Sequence, residues 1–92
     1  MKKYIIEREI PKVGALQGDQ LREAAATSNR VLEHLGTDIQ WKESFVAADK
    51  MFCVYLAKDE EIVRKHAEQS GFPATRITEV CRVIDPLTGN SR

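Results

Sequence analysis

Two amphipathic segments, each stopped by a glycine, alternate with strand-like runs, and their order leaves few folds open. Residues 4–10 read as an isoleucine-rich strand ended by Pro11. A Pro/Gly loop follows, Pro11-Lys12-Val13-Gly14-Ala15. In residues 17–35, Leu21, Ala24, Ala25, Ser28, Val31, Leu32 and Leu35 recur at helical spacing and form one stripe, with Gly36 as the stop. Residues 38–47 and 51–57 read as a hairpin. Asp59 is placed to cap a second helix over 59–70, and Gly71-Phe72-Pro73 ends it. Residues 75–85 read as a fourth strand.

The order βαββαβ is that of a ferredoxin-like α+β domain, a four-stranded antiparallel sheet with both helices on one face. The expected strand order is fourth, first, third, second. Residues 1–86 make a single domain and 87–92 a flexible tail. The uncovered sheet face is expected to meet a second copy of the chain, a closed homodimer.

Within the third strand, Phe52, Val54 and Leu56 are purely apolar and are assigned to the helix-covered face. Met51, Cys53 and Tyr55 then face outward. A three-residue hairpin loop sets Phe45 and Glu43 beside them, with Trp41 beyond. A two-residue turn would move Trp41 and Glu43 to the helix side. The longer loop is preferred because the shorter would bury Glu43, at a cost of several kcal/mol.

Acidic and basic residues balance at 14 each in 92 residues, so no net field draws the chain to nucleic acid or anionic lipid. No apolar run nears the ~20 residues of a membrane span, and the N-terminus has no signal-peptide pattern, so the expected location is cytoplasmic. Cys53 and Cys81 are expected to be reduced. The first strand lies between theirs, which sets their Cα atoms about 10 Å apart, beyond the ~7 Å disulfide limit. No phosphate loop, dinucleotide fingerprint, serine-hydrolase elbow or histidine zinc pattern occurs, and no organic cofactor is expected.

Several segments resemble the small ferredoxin-like family known as domain of unknown function 4242, whose members are also called nickel-binding proteins. They are Tyr4-Ile5-Ile6-Glu7-Arg8 with Ile10-Pro11, Ile39-Gln40-Trp41 with Glu43-Ser44, and Cys53-Val54-Tyr55-Leu56-Ala57. Glu61, Arg64, His66-Ala67, Gly71-Phe72-Pro73, Ile77-Thr78-Glu79-Val80 and Ile84-Asp85-Pro86 continue the pattern. The resemblance implies a dimeric α+β barrel and a metal-binding or small-ligand role, with nickel the named metal. It supplies no ligand set residue by residue.

The residues themselves offer two chemistries. His66 shares a helix side with Ile62, Val63, Ala67 and Ser70. It is either a packed histidine with one or two hydrogen bonds, or a metal ligand or general base. Glu79, Glu43 and Cys53 are the further candidate ligands for nickel or another divalent transition metal, completed by waters or a partner subunit. The other reading of Glu43 and Glu79 is as rim carboxylates paired to Arg8, Lys42 or Arg82 across the dimer. Trp41 and Tyr55 are candidate pocket lining. The reading leans toward a binding protein. The alternative is a cofactor-independent enzyme of monooxygenase or isomerase type, with a pocket in the dimeric barrel and His66 or Glu43 as base.

Overall fold

The computed structural model describes residues 1–90. The chain runs β1 (Lys2–Glu9), α1 (Gly18–Leu35), β2 (Ile39–Val46), β3 (Lys50–Ala57), α2 (Glu60–Ser70) and β4 (Arg76–Val80), with 3-10 turns at Val13–Ala15, Gly36–Asp38 and Pro86–Asn90. All pairings are antiparallel, and the strand order is β2-β3-β1-β4, as expected for a ferredoxin-like α+β fold. No helix among the described residues is long and apolar enough to cross a membrane.

Local chemistry accounts for the helix ends. The Gln20 side chain accepts from the Gln17 N–H at 2.8 Å and opens α1. The Asp59 carboxylate accepts from the Ile62 N–H at 3.0 Å and caps α2. Gly71 takes the left-handed conformation, φ 78°, that ends α2 at low steric cost.

The faces of β3 are the reverse of the expectation. Cys53, Tyr55 and Ala57 point to the helices and are buried, while Phe52, Val54 and Leu56 are half-buried on the open face. Tyr4 pairs with Tyr55 and Ile6 with Cys53, so the inward row is shared with β1. The open face must therefore carry an apolar surface of its own.

The hairpin is also tighter than expected. Val46 pairs with Met51, and the Ala47 N–H donates to the Lys50 carbonyl at 2.8 Å, so only Ala48 and Asp49 make the turn. A β-bulge at Lys42 then shifts the register between Trp41 and Glu43. Glu43 pairs with Val54 on the open face, whereas Trp41 pairs with Tyr55 on the helix side. The reversed faces of β3 resolve the conflict that favoured a longer loop, because Val54 and its partner Glu43 then lie on the open face and Glu43 stays exposed in the shorter one, while the bulge turns Trp41 to the helix side.

β4 stops at Val80, so Cys81 lies beyond the sheet, exposed, while Cys53 is buried; both are free thiols. Val83, Ile84 and Leu87 are 68%, 77% and 74% exposed. Of the tail expected at 87–92, the first part lies in the Pro86–Asn90 turn, and residues 91 and 92 lie outside the described residues.

The core joins Tyr4, Ile6, Ile39, Cys53, Tyr55, Ala57 and Val63, with Leu32, Leu35 and Ile62 packed against it. Only the C-terminal half of the α1 stripe takes part. Leu21, Ala24 and Ala25 are half-exposed, because a cavity lies beneath them.

Candidate functional site

The cavity beneath the first half of α1 has a volume of about 520 Å³, within the ~300–1,000 Å³ range of small-molecule pockets. Leu21, Ala24, Ala25 and Ser28 of α1 form its roof, and the small alanines keep it open. The loop after β1 makes one wall with Ile10, Pro11, Val13 and Leu16. Gly14 holds that loop against the hairpin. Its N–H donates to the Ala48 carbonyl at 2.9 Å, and a Cβ there would meet the Ala47 carbonyl oxygen at 2.6 Å. Trp41 and Ser44 form the opposite wall. The bulge puts them on one side, where the Trp41 indole N–H donates to Ser44 Oγ at 2.9 Å.

The floor is polar. Arg8, Cys53 and Tyr55 lie there, 1%, 3% and 2% exposed. The Arg8 guanidinium donates through Nη1 to the Pro73 carbonyl at 2.9 Å. Its Nε donates to Cys53 Sγ and its Nη2 to the Tyr55 hydroxyl, each at 3.4 Å. The Phe72 ring stands 5.8 Å from the guanidinium carbon. Among the described residues Arg8 takes part in no ion pair. Its buried positive charge therefore meets only neutral or weak acceptors.

His66 lies behind this floor, fully buried. Its Nε2 is hydrogen-bonded to Ser28 Oγ at 3.0 Å, and its ring stands 5.2 Å from that of Tyr55. Nδ1 has no partner. Burial first, and the Arg8 charge second, lower its pKa to about 4 against the pull of the Ser28 backbone. The imidazole is thus neutral at neutral pH and a weak base. Burial also pushes the Tyr55 phenol up, although Arg8 opposes this, so Tyr55 stays protonated.

The structure separates the residues singled out from the sequence into two groups. His66, Cys53, Tyr55 and Trp41 lie on the helix side. Glu43 is exposed on the open face of β2. Glu79, opposite Tyr4, is exposed on β4. β2 and β4 are opposite edges, three strand steps or about 14 Å apart. Among the described residues, no three His, Cys, Asp or Glu side chains stand close enough to share a metal ion. The unpartnered Nδ1 of His66 is one available donor, but the nearby guanidinium repels a cation. The donors of one chain do not fit a divalent metal.

Arg8 and Ser28 are the residues that sequence reasoning passed over as site groups. The signal for Arg8 was the period-two row Tyr4, Ile6, Arg8, which places a cation on the same strand face as two core side chains. A second cavity of about 450 Å³ at the other end of the helices is lined by His34, Asp38, Glu61 and Lys65, among others, and is of mixed charge.

A ferredoxin-like α+β domain with a ligand-sized cavity between helix and sheet is the class that these features define. Residues 4–80 match the family model described as nickel responsive protein SCO4226-like, and the chain belongs to that family. The crystal structure of SCO4226 from Streptomyces coelicolor A3(2) superposes with a TM-score of 0.74 at 18% identity, over 89% of this chain and 99% of that one. At that identity the likeness speaks for the fold. No curated protein matches the chain.

Proposed function

We propose that this chain is a cytoplasmic, homodimeric small-ligand-binding protein whose ligand occupies the cavity between α1 and the sheet. The supporting observation is the cavity itself, mostly apolar at roof and walls apart from Glu9, Ser28 and Ser44, with Arg8, Cys53 and Tyr55 at its floor. Replacing Ala25→Phe fills the roof. Wild-type protein should bind a neutral apolar probe, octanamide, with a saturable change in fluorescence of Trp41, the chain's single tryptophan. The variant should bind it at least ~10-fold more weakly, a loss of about 1.4 kcal/mol. Equal binding by both would place the ligand elsewhere.

The dimer is supported by the open face, with Ile5, Phe52, Val54 and Leu56 in its middle strands and Phe45 56% exposed at its edge. Val83, Ile84 and Leu87, past the end of β4, are a second group of exposed apolar side chains. A second copy would cover both.

Association with nickel is the second reading, supported by the family description. Under it the metal bridges two copies through Glu43, which is exposed on the open face. Phe52→Asp should shift the dimer to monomer in sedimentation, weakening it by at least ~30-fold or about 2 kcal/mol. Nickel binding measured by calorimetry should be lost with it. A monomeric variant that still binds nickel would contradict a shared site.

Catalysis is supported less well. His66 is a weak base that does not itself line the cavity, and among the described residues its Nδ1 lacks the acceptor that orients a catalytic imidazole. The label domain of unknown function 4242 remains a resemblance beside the family that matches.

A further inference from the structure

We propose that the ligand of the α1–sheet cavity is an organic monocarboxylate with an apolar body, its carboxylate seated on Arg8. The inference rests on the small-ligand reading and names the ligand's class.

The argument begins with an imbalance of charge. Arg8 is 1% exposed and in no ion pair among the described residues. A guanidinium cannot shed its proton in proteins, so it remains charged where it is buried. A buried charge needs a partner, or its desolvation is left uncompensated.

The distances show which edge is the more weakly held. Nη1 is held by the Pro73 carbonyl at 2.9 Å, which fixes the plane of the group. The Nε–Nη2 edge is held only by a sulfur and a phenol oxygen at 3.4 Å, both long contacts. Two parallel N–H donors on one edge match the two oxygens of a carboxylate. Tyr55, protonated, can add a third donor by turning its hydroxyl to the anion. The rest of the cavity surface is mostly apolar, with Glu9, Ser28 and Ser44 its other polar members, and Leu21, Ala25, Val13 and Leu16 suit a hydrocarbon body. A highly charged ligand such as a nucleotide would leave most of its charge against these side chains. A single carboxylate would not.

Octanoate and octanamide differ little in shape, and their binding can be compared through Trp41 fluorescence. Wild type should bind octanoate at least ~10-fold more tightly, a difference of about 1.4 kcal/mol. Arg8→Met should abolish that preference, so that octanoate binds no more tightly than octanamide. Equal affinity of wild type for both probes, with binding still lost in Ala25→Phe, would overturn the carboxylate assignment and leave the cavity as the site. Binding of neither probe would remove the small-ligand reading itself. The wild-type comparison needs no variant, so it stands even where Arg8→Met disturbs folding.

Discussion

Lowering the pH from about 6.5 to about 4 is expected to remove up to ~3 kcal/mol of stability through His66 alone. The imidazole is fully buried, so the folded state disfavours its charged form. In the unfolded chain it takes a proton near its ordinary pKa of about 6.5. Between the two values the unfolded state binds more protons, and stability falls as pH falls. The contribution is whole above about 6.5, shrinks through the window, and is gone below about 4, where the folded state protonates as well. The figure is an upper bound, because solvent in the adjacent cavity screens part of the interaction. A domain of this size holds on the order of 5–15 kcal/mol, so the loss is a large share. Urea denaturation at a series of pH values measures it. His66→Gln keeps an amide for Ser28 but does not titrate, and its stability should be flatter over the same window. Equal slopes in variant and wild type would show that His66 is not the group responsible.

Arg8→Met is expected to raise the stability of the ligand-free protein, by about 1–3 kcal/mol. Methionine is a flexible apolar chain that can fill much of the same space. The substitution removes a buried charge without a counter-charge, and replacement of buried ionic groups by packed apolar ones is often stabilising by ~1–4 kcal/mol. Against this stands the hydrogen bond to Pro73, worth about 1.5–3 kcal/mol for a charged donor. Pro73 is itself exposed, so water can replace that donor. Thermal denaturation of the two proteins decides the sign. A variant less stable by more than ~1 kcal/mol would mean that Arg8 is a structural clamp on the Phe72-Pro73 segment. In the predicted outcome the arginine costs stability and is kept for what it binds.

The fold was legible because punctuation and period agreed. Pro11, Gly36, Gly71 and Pro73 mark ends, and the two helical stripes fix the βαββαβ order and hence the sheet. The faces of β3 were not legible. Met-Phe-Cys-Val-Tyr-Leu-Ala is apolar on both sides, so alternation has no contrast to read. The choice was settled by Ala57 and by the pairing of Tyr55 and Cys53 with Tyr4 and Ile6, which only the register reveals. β1 posed the same problem in charge. Glu7 and Arg8 occupy opposite faces, and either could have been the buried one. The structure gives Glu7 the open side, with Lys50 and Arg76 at 3.8 and 3.6 Å, and buries Arg8. The bulge at Lys42 has no glycine to announce it, so the position of Trp41 beside Tyr55 could not be read from spacing.

The helix, Gly-Phe-Pro and strand segment combines both lessons. It supplies His66, and its Phe72 and Pro73 carbonyls hold the arginine from β1. The site arises where the start and end of the chain meet beneath α1. No short motif could have contained it.

The most direct test of the account is a titration of isotopically labelled protein with octanoate, followed by amide and indole NMR shifts. The account predicts saturating changes at Leu21, Ala24, Ala25, Ser28 and the Trp41 indole, with Arg8 Nε shifting in step. Changes confined to the open-face residues Ile5, Glu43, Phe45 and Val54, with the α1 signals still, would contradict it.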